Sequence, residues 1–86
     1  MDINTLISII KKKILTDIKC ENLKVEDKTF LHKDHVGNDN NKFHIKLSIK
    51  SKELKKMNKI ERNKKVYKIL SEEISKSIHS LQVLIH

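Results

Sequence analysis

Apolar residues recur at intervals of three and four along the first part of the chain. They are Ile3, Leu6, Ile7, Ile10, Ile14 and Ile18. This spacing places them on one side of a helix, a pattern typical of a helix that packs on a sheet. Asp2 or Asn4 can accept a hydrogen bond from the first free backbone N–H groups and so cap the start of the helix.

The next two apolar segments show strict alternation instead. Residues 23–28 alternate leucine, valine and aspartate with lysine and glutamate, and residues 44–50 alternate isoleucine and leucine with histidine, lysine and serine. Alternation at every second residue predicts β-strands with one buried face. The polar stretch Phe30–Lys42 contains His32, His35 and the only glycine, and it is predicted to be a loop. We expect the two strands to form an antiparallel pair.

The second half of the chain predicts one long helix followed by a last strand. Asn58 and Glu61 have the spacing of a capping box, and we expect the helix to cover Asn58–Ser77. A shorter helical turn is expected within Ser51–Met57. The predicted buried face of the long helix consists of Ile60, Tyr67, Leu70, Ile74 and Ile78, supported by Val66 and Ile69. The final strand is expected to begin at His79, because apolar and polar residues alternate from there to the end.

The predicted order of elements is α-β-β-α-β, which defines an α+β fold in a single domain, residues 1–86. A helix between the last two strands favours a parallel connection, so the sheet should be three-stranded and mixed, with the helices on one face. Six residues from different elements are expected to share one core. They are Ile45, Leu47, Ile49, Leu70, Ile74 and Leu81.

The formal net charge is +8, and Arg62 is the only arginine among nineteen basic residues. A basic chain can bind phosphate backbones without specificity. Lysine, however, lacks the bidentate fork with which arginine grips a phosphate. The charge therefore leaves two interpretations open, a solvated surface and a weak site for nucleic acid.

The cysteine content and the motifs absent from the sequence indicate the cellular compartment and whether the protein is an enzyme. Cys20 is the only cysteine, so no disulfide can form within the chain, which fits a reducing compartment. We expect a cytoplasmic protein, with no signal peptide and no membrane-spanning segment. No nucleophile elbow, phosphate-binding loop or spaced Cys–His pair is present, so we do not expect an enzyme.

Several motifs along the chain together resemble those of the BolA family. Residues 27–35 are similar to its loop pattern D-x-[ST]-x-x-H-x-x-H, and His44 falls where the family has H-F. Residues 62–67 resemble R-H-R-x-[VI]-Y, and residues 78–81 resemble I-H-A-L. The resemblance covers roughly residues 5 to 85. The basic motif departs most from the family, because asparagine and lysine replace its middle histidine and second arginine.

The resemblance implies a class II KH-like fold and a partnership with monothiol glutaredoxins. It also implies a [2Fe–2S] cluster shared between the two proteins, with sulfur ligands from the glutaredoxin cysteine and glutathione. The matching ligands in this sequence are His79 and either His35 or His32. Two nitrogen ligands are too few to hold a metal tightly, so we expect none in the isolated protein. Alone, the chain is expected to be a monomer or a weak homodimer.

Other readings of the same residues stay open. His32, His35, His44 and His79 could bind zinc if the fold gathered all four, although His44 is expected to be structural. A nucleic-acid-binding regulator is the main alternative function. Its predicted contacts lie in the second helix and are Lys59, Arg62, Lys64 and Lys65. We expect any such DNA binding to be weak and non-specific.

Overall fold

The structure is a computed structural model that describes residues 2–29 and 42–86. Four helices and three strands occur in these residues. Along the chain they are α1 (Ile3–Asp17), β1 (Asn22–Asp27), β2 (Phe43–Lys50), α2 (Lys52–Lys55), α3 (Lys59–Ile69), α4 (Ser71–Lys76) and β3 (Ile78–Ile85). None of these helices is long and apolar enough to span a membrane.

The three strands form one mixed sheet in the order β1-β2-β3. β1 pairs antiparallel with β2, and β2 pairs parallel with β3. The predicted α+β fold, the antiparallel first pair and the parallel last pair are therefore confirmed. Because β2 is central, its alternate residues Ile45, Leu47 and Ile49 lie in the core with almost no exposure.

Side-chain caps fix where α1, α2 and α3 begin, and those at Asp2 and Asn58 were predicted from the sequence. The Asp2 carboxylate accepts a hydrogen bond from the Thr5 backbone N–H at 2.7 Å, and the Asn58 side chain accepts one from Glu61 at 2.8 Å. Ser51 caps the short α2 helix through its hydroxyl oxygen. Each cap satisfies an N–H group that has no partner within its own helix.

The predicted helix Asn58–Ser77 is wrong in one respect, because it is divided at Leu70. The backbone of Leu70 has φ −99° and ψ 17°, which ends α3, and α4 begins at the next residue. Leu70 is fully buried at this junction, and in α4 the Glu73 carboxylate contacts Lys13 Nζ of α1 at 2.6 Å. The strand that follows starts at Ile78, one residue earlier than predicted.

The buried face of α3 also differs from the prediction. Ile60 is 69% exposed and Tyr67 is 41% exposed, whereas Val66 and Leu70 are fully buried. The expected core is otherwise confirmed, since Ile74 and Leu81 are partly buried and pack against it. Like β2, helix α1 supplies three buried apolar side chains. They are Leu6, Ile10 and Ile14, followed by Ile18 just beyond the helix.

Candidate functional site

His79 lies at an irregularity in the pairing of β3 with β2. Phe43 is paired with Ile78 and His44 with Ser80, so His79 is an extra residue on β3 between two successive pairs. Ile78 is buried, whereas His79 and Ser80 are both exposed. Such a bulge changes the direction of side chains relative to a regular strand. Here it allows two successive side chains to leave the core.

The rings of His44 and His79 lie side by side at this end of the sheet. Their centroids are 4.8 Å apart, and their planes are tilted by 43°. His44 is 7% exposed, and its Nδ1 atom lies 2.6 Å from the Ser80 hydroxyl oxygen. The buried ring of His44 is thus fixed by a hydrogen bond, and it forms one wall beside the exposed ring of His79.

The segment that joins β1 to β2 is hydrogen-bonded to His44 at its first end, and its other end leads directly into the start of β2. The Lys28 backbone N–H donates to the His44 carbonyl at 2.7 Å, and the His44 N–H donates to the Thr29 hydroxyl oxygen at 3.1 Å. Thr29 in turn donates its own N–H to Asp27 Oδ1 at 2.9 Å, and its hydroxyl bonds to the same oxygen. The aspartate and threonine of the D-x-[ST] motif therefore form a local turn that is tied to β2.

His32 and His35, the two predicted loop ligands, lie outside the described residues. Within the described part of the chain, no group of three or more histidine, cysteine or acidic side chains could hold a metal ion. His44 and His79 are close together, but two imidazoles complete no metal site by themselves. The described geometry therefore offers a partial set of nitrogen ligands.

Cys20 lies away from these histidines. The adjacent Glu21 donates its N–H to the carbonyl of Lys50, at the far end of β2. Lys50 lies six positions along β2 from His44, a distance of about 20 Å. Burial is the main cause that raises the pKa of the Cys20 thiol above its ordinary value. Cys20 is therefore poorly placed to supply a thiolate ligand at the histidine end of the sheet.

The four basic residues predicted to contact nucleic acid do not form one surface. Lys59 and Arg62 line a shallow cavity of about 240 Å³ between α3 and the end of β3. Lys65 instead pairs with Glu53 of α2 at 3.5 Å, on another side of the helix. Lys64 is exposed on α3, away from that cavity.

The contact between His44 and His79 and the role of Ser80 were not found by sequence reasoning. Ser80 follows His79 directly, and His44 begins the regular part of β2, so both positions were visible in the motifs. Their proximity depends on the parallel register and on the irregularity at His79. No local pattern in the sequence specifies that register.

With the geometry established, comparison with known proteins identifies the family. The family model described as BolA-like protein matches residues 14–85, so the chain belongs to the BolA family. This result confirms the resemblance drawn from the motifs.

Two curated relatives agree with this assignment. "DNA-binding transcriptional regulator BolA" of Haemophilus influenzae is 33% identical over 73 residues, covering 85% of this chain and 68% of that protein. "Protein BOLA1, chloroplastic" of Arabidopsis thaliana is 28% identical over 80 residues, covering 90% of this chain and 50% of that protein. The chain thus spans about two thirds of the first relative and half of the second.

Solved structures support the fold independently. BolA1 from Arabidopsis thaliana has a TM-score of 0.76 and 27% identity, over 91% of this chain and 86% of that one. The BolA domain of SufE1 from the same plant also has a TM-score of 0.76, with 22% identity over 99% of this chain and 92% of that one. At this lower identity, the second similarity supports the fold alone.

Proposed function

We propose that this chain is a non-catalytic partner of a monothiol glutaredoxin, with which it shares a [2Fe–2S] cluster in cluster trafficking or in iron and redox regulation. His79 and one histidine of the β1–β2 segment, His35 or His32, would be its ligands. The glutaredoxin cysteine and glutathione would supply the thiolates. We place this function in the cytoplasm, consistent with a chain whose only cysteine is unpaired.

One observation carries this proposal. The segment bearing His32 and His35 leaves the described structure at Thr29, which is hydrogen-bonded to His44, and re-enters it two residues before His44 in the chain. The His44 ring lies beside that of His79. The attachment points of the segment are therefore at the same end of the sheet as His79. A short segment anchored in this way can bring a second imidazole to an exposed first one at small cost in loop-closure entropy.

The available donor atoms fit a shared cluster better than a resident metal. Neutral imidazole nitrogen is a competent ligand for iron, and histidine replaces two thiolates on one iron in known clusters. The described residues include no complete metal site, and the only cysteine lies at the opposite end of β2. A cluster at this position would need its thiolates from a second molecule.

The residues of this chain would have separate tasks at such a site. His79 is exposed and can present a ring nitrogen without unfolding the strand. Buried His44, held by the Ser80 hydroxyl, limits the space into which the His79 ring can turn. When bound, the cluster would supply a one-electron redox centre and a transferable iron–sulfur unit. Histidine ligation would raise its reduction potential relative to a cluster held by thiolates alone.

The test is reconstitution with a monothiol glutaredoxin, glutathione and iron, followed by visible absorbance and circular dichroism. We expect a mixed-ligand spectrum that differs from that of the glutaredoxin alone. His79→Ala should abolish this spectrum, whereas His86→Ala, a matched change of an exposed histidine in the same part of the chain, should not. Loss of the spectrum must occur with unchanged far-ultraviolet dichroism. An unchanged cluster spectrum in His79→Ala would show that the proposal is wrong.

A second candidate function is a nucleic-acid-binding regulator. The Haemophilus influenzae relative carries that description, and Lys59 and Arg62 lie together on α3 in this chain. Binding by lysine-rich surfaces should be electrostatic, so the affinity should fall steeply as salt is raised. Fluorescence anisotropy with several duplex sequences at two salt concentrations tests this function. Weak, salt-sensitive binding to every sequence would keep cluster binding as the preferred function, whereas tight, salt-insensitive binding to one sequence would favour the regulator.

A further inference from the structure

The outward side of β3 is an open strand edge with no charged side chain. Its eight residues, Ile78–Ile85, include no lysine, arginine, aspartate, glutamate, proline or glycine. Within residues 2–29 and 42–86, β2 is the only strand paired with it. The other edge strand, β1, contains Lys24, Glu26 and Asp27. Charges of this kind protect an edge against pairing with another chain, and β3 has no such protection.

Two hydrogen bonds show which backbone groups of β3 face outward. His86 donates its N–H to Ile49 of β2 at 2.8 Å, so its backbone points into the sheet. The Leu81 carbonyl accepts from the Tyr67 hydroxyl at 3.1 Å, so it points away from β2. Successive residues of a strand direct their backbone N–H and carbonyl groups to opposite edges. The backbone groups of Val83 and Ile85, like those of Leu81, therefore point away from β2. Each of these two residues presents one N–H and one carbonyl along the edge.

A basic groove adjoins this same stretch of β3. The shallow cavity beside it is lined by Val83, Leu84 and Ile85 on the strand and by Lys59, Arg62 and Asn63 on α3. Neither Lys59 nor Arg62 is in an ion pair with a described residue. The strand therefore offers backbone pairing, and the helix next to it offers two cationic side chains.

We propose that the outward edge of β3, at Val83 and Ile85, binds an extended acidic peptide segment of a partner protein as an added strand. The backbone of the peptide pairs with Val83 and Ile85, as in strand addition to an open sheet edge. Its carboxylates contact Lys59 and Arg62 of α3. Tyr67 closes the groove at Leu81, which limits the added strand to a short segment.

The charges at the groove argue against two other occupants. A second copy of this chain, paired through β3, would bring two sets of Lys59 and Arg62 together while each chain has a net charge of +8. A nucleic acid has phosphates for the cations, but it has no strand-like row of donors and acceptors for the edge. None of the residues that line the cavity is aromatic, and the ring of Tyr67 beside it is held by the hydrogen bond of its hydroxyl to the Leu81 carbonyl, so no free stacking platform for a base is present among these residues.

The test uses a fluorescein-labelled peptide of alternating valine and glutamate, the same peptide N-methylated at every second residue, and short oligo(dT). N-methylation removes donors and blocks pairing without changing charge. We expect the first peptide to bind at least about tenfold more tightly than its N-methylated form. Amide signals of Val83 and Ile85 should shift in nuclear magnetic resonance spectra. Equal binding of both peptides, or tighter binding of oligo(dT) at the same residues, would overturn the proposal.

Variants of this chain distinguish peptide binding at the groove from non-specific attraction between an acidic peptide and a basic protein. Replacing both cations, Lys59→Gln with Arg62→Gln, should weaken peptide binding by at least about fivefold, whereas Lys64→Gln should change it by less than about twofold. Val83→Pro removes an outward N–H that takes no part in the β2–β3 ladder, and edge strands tolerate proline. It should abolish binding. If Val83→Pro does not fold, the cation variants and the N-methylated peptide still decide the question.

This proposal is independent of the shared cluster. His79→Ala should leave peptide binding unchanged, because the groove lies at residues 83–85 of β3. Loss of peptide binding in His79→Ala would place the peptide at the histidine end of the sheet and would contradict the assignment to Val83 and Ile85.

Discussion

The ring of His44 lies 4.8 Å from the ring of His79, centroid to centroid, although 35 positions separate the two residues in the sequence. One ring is buried and held by the hydroxyl of Ser80, and the other is exposed. The pair lies where the parallel strands β2 and β3 begin. A rigid histidine thus borders an accessible one at the end of the sheet where the β1–β2 segment is attached.

The core on which this arrangement rests can be tested at Leu70. Leu70 is fully buried at the junction of α3 and α4, so Leu70→Ala should lower the free energy of unfolding by roughly 2–5 kcal/mol. Ile60→Ala is the matched control, because Ile60 is 69% exposed and should cost less than about 0.5 kcal/mol. Urea denaturation followed by circular dichroism measures both. Equal effects of the two substitutions would contradict the observed face of α3.

Features of this fold that depend on neighbouring residues could be predicted from the sequence, whereas features that depend on contacts between distant residues could not. The alternation at Ile45, Leu47 and Ile49 was enough to predict a half-buried strand, because the side chains on the buried face of a strand are those of every second residue. The division at Leu70 was missed because no proline or glycine marks it, and Leu70 itself is the residue between the helices. The exposure of Tyr67 was missed for a related reason. Its hydroxyl reaches the Leu81 carbonyl, a contact with β3 that helical periodicity cannot show.

The candidate site was predictable in its residues and not in its geometry. The family motifs singled out His79, and the alternation of apolar and polar residues over 44–50 placed His44 in the second strand. That the two rings meet follows from parallel pairing with an extra residue at position 79, and this register is a tertiary property. The D-x-[ST] motif was recognised as a pattern. Its physical role, a turn that ties Thr29 to His44, required the structure.

The ion pair between Lys13 and Glu73 is expected to make stability depend on alkaline pH. The hydrogen bond to the Glu73 carboxylate, 2.6 Å from Nζ, is the main cause that raises the pKa of Lys13 above its ordinary value of 10.5. The contribution should be fully present below pH 10.5, where this lysine is charged in both states. It should be lost as the pH rises through the higher pKa of the folded state.

Lys13→Met removes this contribution and leaves the buried Glu73 without its cation. We expect it to lower the urea midpoint at neutral pH more than Lys12→Met, a control at a neighbouring exposed lysine. The difference between Lys13→Met and the unaltered chain should shrink above pH 10.5. Denaturation at several pH values measures it. A difference that grows with pH would show that the ion pair does not stabilise the fold.

Cys20 should be an unreactive thiol. It is half-buried, its Sγ lies 3.6 Å from the Ile18 carbonyl oxygen, and burial raises its pKa, so little thiolate exists at neutral pH. We expect alkylation by iodoacetamide to be at least about fivefold slower in the folded protein than in urea, read by mass spectrometry. Cys20→Ser should leave the spectrum of a cluster shared with glutaredoxin unchanged. A lost spectrum would make Cys20 a ligand.

The two loop histidines are expected to contribute unequally to cluster binding. His35 is followed by Val36 and Gly37, in the manner of histidine-loop members of the family, so His35→Ala should weaken the mixed-ligand cluster more than His32→Ala. Both residues lie outside the described structure, and their order stays a prediction. The rate of cluster loss to a chelator, compared between the two variants, measures it. Faster loss from His32→Ala would reverse the assignment.

His44 packs beside His79, and His79 is proposed to ligate the cluster. Substitution by phenylalanine separates these two roles, because it keeps an aromatic ring and removes both ring nitrogens. His44→Phe should preserve most of the wall beside His79 while deleting the hydrogen bond to Ser80, so the cluster spectrum should survive. His79→Phe should abolish it, because phenylalanine offers no donor to iron. Visible circular dichroism of the reconstituted complex, together with a melting curve for each variant, measures both effects. If His44→Phe abolishes the spectrum while the variant remains folded, His44 itself is a ligand. The β1–β2 histidines would then be dispensable, and their substitution should leave the spectrum intact.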